Sequence, residues 1–345
     1  MSDQPTQKKR PTVKDVAREA GLSIATVSRA LSRPETVKKD TRAHVYEVVK
    51  RIGYRANKAA SDLRRGHSKT LLVLVSDITN AFFAEFFKGI EEEARSRGYV
   101  LLIGDTSEDA ESERVFSDML LMNQAGGLIL NTYGFPSDLY PPDGGNVYSG
   151  PPIVSCSGRR EFDLPTVQID DVSGGRQVGE HLINLGHRNM IQLCGPLQIY
   201  GFERRFFGFC QALKAAGIPL QNDRNFVGEM STDFGIRVAA QIAEMEDRPT
   251  AIFVHNDETA IGLLHGLSKA GIRVPEDISV VGYDDMPYSA VFNPGLTTVH
   301  LPRRKWGQMA CAKLIELLEG EDPDADKRRV ITPELIARAS SRALI

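Results

Sequence analysis

Apolar residues near the start of the chain recur with a helical period in three short bursts. Val13, Val16, Ala17 and Ala20 form the first stripe, and Thr12 stands ahead of it as a capping residue. Gly21 permits a sharp turn, and Ser23 is placed to cap a second helix whose Val27, Ala30 and Leu31 face inward. Ile24, Ala25, Thr26, Ser28 and Arg29 are left for its outer face. A third stripe of Val45, Val48, Val49 and Ile52, closed by Gly53, predicts a helix over about 39–52. Two short helices around a glycine turn have helix-turn-helix spacing, in which the second helix enters the major groove of DNA. A plain αα-hairpin would show the same period, so the surroundings must decide.

From residue 70 the pattern changes to short apolar runs alternating with helical stretches. LLVLVS (71–76), VLLIGD (100–105), GLILN (127–131), PIVSC (152–156) and TVQI (166–169) read as strands, with helices over 81–97 and 109–124. The cycle then restarts with a helix at 173–185, MIQLCG (190–195), a helix at 204–216 and NFV (225–227). A helix at 234–245, AIFVHN (251–256), a helix at 257–270 and ISVVGYD (278–284) complete it. Such alternation means parallel sheets covered on both faces, and a restarted cycle predicts two similar lobes. Small ligands bind such folds in the cleft at the strand C-termini. Between the two parts lies NKAASDLRR (57–65), too short to be a stable helix alone.

Charge separates the parts further. The whole chain is nearly balanced at −3, yet residues 1–66 hold 16 Lys/Arg against 7 Asp/Glu, and the remainder 26 against 38. A head of net +9 on a body of net −12 is the asymmetry expected when only the head touches polyphosphate. Cys156, Cys194, Cys210 and Cys311 are scattered without a CxxC pair, which predicts free thiols in a reducing compartment and argues against a zinc site. No apolar run approaches a membrane span and MSDQPTQKKR lacks a signal segment, so a cytoplasmic protein is expected. GxSxG, Walker A and HExxH patterns are absent, and no GxGxxG follows the first strand; no enzyme, cofactor or metal is expected. His181 and His187 read as surface or capping positions. Asp77, Asn80, Asn256, Asp257, Asp284 and Asp285 gather where strands end, a set that suits hydroxyl-rich ligands, and Phe82 and Phe83 could cover an apolar ring face. The same residue types cap helices. Capping is the expectation for Asp257, while Asn256 and Asp284 stay open between the two roles.

TVKDVAREAGLSIATVSRAL, RIGYRANKAASDLRRG, SDITNAFFAEFFKGIEEEARSRGY, GGRQVGEHLINLGHRNM, RRFFGF, FVHNDETAIGLL, VPEDISVVGYDD and PGLTTV, in this order, resemble the LacI/GalR family of bacterial transcriptional regulators across essentially the whole chain. The resemblance implies an all-α helix-turn-helix headpiece (1–56), a hinge (57–68) and an α/β two-lobed, periplasmic-binding-protein-like effector domain (69–345). Its lobes would comprise about 69–167 with 300–328, and about 168–297 with 329–345. It implies a homodimer on a pseudo-palindromic operator of double-stranded DNA. Ile24, Ala25 and Arg29 fall on base-reading positions, and Thr26 and Ser28 near phosphates. Thr12, Val13, Ser23 and Tyr54 complete the expected headpiece contacts, with Asn57, Ala60 and Leu63 in the hinge. Leu63 matches a leucine that wedges into the minor groove.

For the cleft, the resemblance places Asn80, Phe83, Ser157, Arg205, Asn256 and Asp284 around the effector. Ser157 stands where many sugar-binding members have Asp, and Met230 where a Trp or Phe commonly stacks on a pyranose. Ala56 replaces a usual Pro and Lys38 a usual Ser cap, and adjacent Arg204 and Arg205 raise the prospect of a sugar acid, phosphorylated sugar or amino-acid conjugate. The expected function is a repressor of carbohydrate uptake or catabolism genes, induced by a sugar or sugar derivative between the lobes. The rivals are a purine-type corepressor-dependent regulator, and a sugar-binding module without operator binding.

Overall fold

The structure is a computed structural model describing residues 11–55, 68–141, 148–157, 162–219, 224–322 and 326–344. Asn57, Ala60 and Leu63, and with them the hinge up to residue 67, lie outside the described residues, as does Ala56. The chain divides into two compact units, Met1–Ser68 and Lys69–Ile345.

The first unit holds α1 (Val13–Ala20), α2 (Ile24–Ser32) and α3 (Lys39–Ile52). Thr12 opens α1 with a capping box: its Oγ1 accepts the Asp15 amide at 3.4 Å, and the Asp15 carboxylate takes the Thr12 amide at 2.9 Å. Gly21 adopts the left-handed conformation the turn needs, with φ 64°. Ser23 caps α2 through the Thr26 amide at 3.1 Å, whereas Lys38 makes no side-chain cap to α3. Val16, Val27, Ala30 and Val45 are fully buried at the centre. His44 Nε2 bonds the Ala20 carbonyl at 3.1 Å, fixing α3 against the turn.

The second unit contains two parallel sheets. The first joins β1 (Thr70–Val75), β2 (Val100–Asp105), β3 (Gly127–Asn131), β4 (Ile153–Ser155), β5 (Thr166–Ile169) and β11 (Arg328–Ile331) in the order β11-β5-β4-β3-β1-β2. The second joins β6 (Met190–Cys194), β7 (Phe226–Val227), β8 (Ala251–Val254) and β9 (Ser279–Val281) in the order β7-β6-β8-β9. A further antiparallel pair links β10 (Thr298–His300) to β12 (Glu334–Ile336). The expected lobe limits near 167 and 328 fall inside β5 and β11, which pair with one another in the first sheet. The first lobe's sheet therefore reaches Ile169 and Ile331. β9 is shorter than the run ISVVGYD suggests. Gly282 and Asp284 turn their amides to the Thr297 and Val299 carbonyls instead, at 2.8 and 3.0 Å.

Helices pack in pairs over these sheets: α4 (Phe83–Ser96) with α10 (Arg303–Leu318), α6 (Asp171–Asn184) with α7 (Tyr200–Ala215), and α8 (Thr232–Glu244) with α9 (Asp257–Lys269). α5 (Ala110–Leu121) lies between β2 and β3 in the chain. Each pair meets glycine against backbone from both sides. A Cβ on Gly89 would overlap the Arg304 carbonyl, and one on Gly307 that of Phe86. Gly175 and Gly208 meet the Arg205 and Val172 carbonyls in the same way, and Gly235 and Gly262 those of Thr259 and Thr232. Only glycine allows this approach.

Candidate functional site: a recognition helix and a buried charge cluster

On α2 the inward residues Val27 and Ala30 are fully buried, which turns the opposite face outward. Ile24 is 47% exposed, Ala25 and Arg29 are exposed, and Thr26 and Ser28 are half-buried. The Arg29 guanidinium makes no ion pair among the described residues, leaving its five donors available. Such a fork can grip the O6 and N7 of guanine, while Ile24 and Ala25 offer only apolar contact. The Thr12 and Ser23 hydroxyls are engaged in caps, so any phosphate contact at these positions must share them. Val13 and Tyr54 are half-buried and pack on the headpiece core.

In the second unit, Asp171 begins α6 just after β5, and Arg205 lies on α7. The close α6–α7 contact at Gly175 and Gly208 puts the two side chains together. Arg205 Nε donates to Asp171 Oδ1 at 2.9 Å, Nη1 donates to the His255 carbonyl at 2.5 Å, and Tyr283 Oη donates to the same Asp171 oxygen at 2.9 Å. The guanidinium lies 3.9 Å from the centre of the Tyr283 ring. Asp284, only 7% exposed, has Oδ1 at 3.7 Å from Arg205 Nη1, and that oxygen has no hydrogen-bond partner among the described residues.

Burial pushes the Asp284 carboxyl up to about 8, and the nearby Arg205 charge only partly opposes this. The physical reason is that Asp171 already holds the guanidinium. Burial disfavours the Arg205 charge, but Asp171 and Asp284 more than offset it, so Arg205 is held above the ordinary arginine range. His255 is kept neutral by burial and by the Arg205 charge.

The cap of α9 falls to Asn256, which the sequence leaves open between capping and cleft contact, and not to Asp257. Asn256 has extended backbone (φ −154°) and caps α9, its Oδ1 accepting the Thr259 amide at 2.9 Å. That leaves only its amide nitrogen for a ligand. Asp257, expected as the cap, is the first helical residue and points into the interior. Its carboxylate accepts the Met286 amide (2.8 Å), the Ser289 hydroxyl (2.6 Å) and the Thr298 hydroxyl (2.6 Å). Burial pushes this carboxyl up to about 6, against the pull of those bonds. Asp284 and Asp285 adopt φ 109° and 50°, conformations that cost L-residues energy. The Asp285 carboxylate is held by Arg338 at 2.7 Å and His300 at 2.9 Å, and its carbonyl by Arg303 at 3.2 Å.

The remaining expected residues do not touch this cluster. Asn80 closes its own turn by accepting the Phe82 amide at 2.9 Å, and Phe83 stacks on Phe87 with ring centres 5.9 Å apart. Ser157 pairs with Ser155 at 3.3 Å beside a small apolar recess lined by Leu130, Phe135 and Phe162. Met230 packs against the core of the second lobe. Arg204 parts from Arg205 and lies over the Tyr200 and Phe207 rings, so the two cations do not form one anion site. His187, expected at the surface or as a cap, is buried because the C-terminal stretch covers it; it bonds Thr250 Oγ1 at 3.0 Å and the Arg342 carbonyl at 3.1 Å. Asp171 and Tyr283 escaped sequence reading. Asp171 had a faint signal, as the second carboxylate where β5 ends.

A basic trihelical head and a two-lobed α/β body with a buried polar cluster at its strand ends are the parts of a DNA-binding regulator. Residues 12–57 match the bacterial regulatory proteins of the lacI family, and residues 180–341 match a periplasmic binding protein-like domain. The HTH-type transcriptional repressor CytR of Escherichia coli K12 is 33% identical over 339 residues, 98% of each chain. Among solved structures, the lac repressor dimer bound to operator and the anti-inducer ONPF superposes with a TM-score of 0.86 at 26% identity, covering 97% of this chain and all of that one. The complex of the regulator CelR with cellobiose gives 0.71 at 26% identity, covering 96% and 100%. The chain belongs to the LacI family of DNA-binding transcriptional repressors, and it is not an enzyme. No helix among the described residues is long and apolar enough to cross a membrane.

Proposed function

We propose that the protein acts in the cytoplasm as a homodimer on a pseudo-palindromic operator. A sugar or sugar derivative entering between the lobes releases the operator, and the controlled genes serve carbohydrate uptake or catabolism. The observation that carries the effector reading is the unpartnered Asp284 oxygen beside Arg205. A ligand hydroxyl can donate to the one and accept from the other, as a buried acceptor without a partner requires. A sugar acid or phosphorylated sugar suits the site less, because Asp171 and the His255 carbonyl already engage the guanidinium. The similar regulator CelR, solved as a complex with cellobiose, supports a carbohydrate effector. In the head, Ile24, Ala25 and Arg29 read bases, and Thr26, Ser28 and Tyr54 meet the backbone. Asn57, Ala60 and Leu63 act from the hinge.

The test is anisotropy of an operator selected from random DNA, titrated with KCl and then with D-ribose, D-xylose, D-glucose and cellobiose. Operator binding relieved by a panel sugar is the expected result. Failure to bind duplex DNA at low salt would overturn the regulator reading. Operator binding that needs a purine base and ignores every sugar would replace induction by corepression.

A further inference from the structure

The turn that carries Asp284 is strained and held from several directions. Asp284 and Asp285 have φ 109° and 50°, so the main chain keeps this shape only under restraint. Much of the restraint comes from the second lobe and the strands leading out of it. Asp257 on α9 accepts the Met286 amide at 2.8 Å, and the Asp284 amide donates to the Val299 carbonyl at 3.0 Å. The Asp285 carboxylate lies between Arg338 and His300. Arg338 is anchored in turn, its Nη1 donating to the Leu296 carbonyl at 2.8 Å.

Arg303 restrains the same turn from the other lobe. It is the first residue of α10, which packs on α4 and is tied to β5 by Trp306 Nε1 donating to the Val167 carbonyl at 2.7 Å. Although α10 is thus part of the first lobe, the Arg303 side chain reaches the turn of the second. Its Nη2 donates to the Asp285 carbonyl at 3.2 Å, and Nη1 lies against Met286 Sδ. The guanidinium also stands 5.6 Å from the centre of the Phe82 ring, just ahead of α4. Arg303 is buried, and no carboxylate pairs with it among the described residues. Burying a guanidinium without a counter-ion is unfavourable, and an apolar side chain would fill this place at less cost. What arginine adds is the tie from α10 to the Asp285 carbonyl.

We propose that Arg303 is the positioning residue that couples the effector site to the first lobe. A sugar hydroxyl taken by Asp284 reshapes a turn whose next carbonyl is bonded to α10, so the change reaches the first lobe through Arg303. Arg303 itself does not touch the sugar. The inference rests on the effector reading above.

Arg303→Met keeps the packing on Phe82 but loses the donors, and Arg303→Lys restores one donor. Arg303→Gln, too short to span to Asp285, replaces Arg303→Met if that variant does not fold. Hydrogen exchange of the sugar-free protein is the first readout. Exchange over residues 284–292 should be about tenfold faster in Arg303→Met and near wild type in Arg303→Lys, because a turn freed from α10 opens more often. The second readout uses whichever of D-ribose, D-xylose, D-glucose and cellobiose most raises the wild-type melting temperature. Its affinity by calorimetry should stay within about threefold of wild type in Arg303→Met, while its effect on operator affinity should shrink about tenfold or more. Arg303→Lys should recover most of that effect. A merely structural residue would lower the melting temperature yet leave unchanged the ratio of operator affinities with and without saturating sugar. Unchanged exchange in Arg303→Met overturns the tie and leaves the effector site standing. Lost sugar affinity with that ratio intact makes Arg303 a ligand contact and overturns the proposal. Faster exchange, in a protein whose wild type answers no panel sugar, removes the effector reading and the coupling role with it.

Discussion

Asp284 is an acid whose neutral form the fold prefers. Its carboxyl rises from 3.8 to about 8, so the stability it lends is fully present near pH 4 and lost as pH rises through about 8. Asp284→Asn removes that loss. The variant should match wild type in thermal melting near pH 4 and exceed it at pH 9; a constant offset at both pH values would contradict the assignment. Asp257 holds the 284–289 turn by two bonds and β10 by a third, and Asp257→Ala leaves their donors without a buried acceptor. Denaturant titration should show about 2–4 kcal/mol lost, with weakened sugar binding. Sequence pattern reached Asp284 because it follows an apolar run. It could not separate Asn256 from Asp257, since the cap is decided by backbone angles at one residue and both types suit it. Nor could it tell Arg204 from Arg205. Neighbours on a helix point about 100° apart, so one of the two turns inward, but packing decides which.

At the scale of elements, capped helices and buried strands were legible, since Thr12, Ser23, Gly21 and Gly53 mark ends by their own chemistry. The reciprocal glycines of the helix pairs were not. In sequence such residues only lower helix propensity, and their value appears when a second backbone arrives. Gly208→Ala would drive a methyl into the Val172 carbonyl and push α7 from α6. It should cost about 1–3 kcal/mol by urea unfolding and weaken sugar binding by moving Arg205 from Asp171. The exposed face of α2 makes a separate prediction. Arg29→Ala should relax selection at one guanine position per half-site, costing about 1–3 kcal/mol of discrimination there, as read from selection on random DNA.

The whole molecule is polarised, its first 66 residues at +9 and the rest at −12. Operator affinity should fall linearly on logarithmic axes as KCl rises, by about 0.9 powers per phosphate neutralised. A flat salt response would mean that the head does not work through phosphates. Two lobes could be read from a strand–helix cycle that restarts; their borders could not, because β5 and β11 run on as a pair past the point where the pattern changes. The glycine contacts between paired helices have one last consequence. Main chains pressed directly together lack the rotamers by which side chains yield, so each lobe behaves as a stiff block. A push delivered at Arg205 cannot be soaked up locally. It must turn the block.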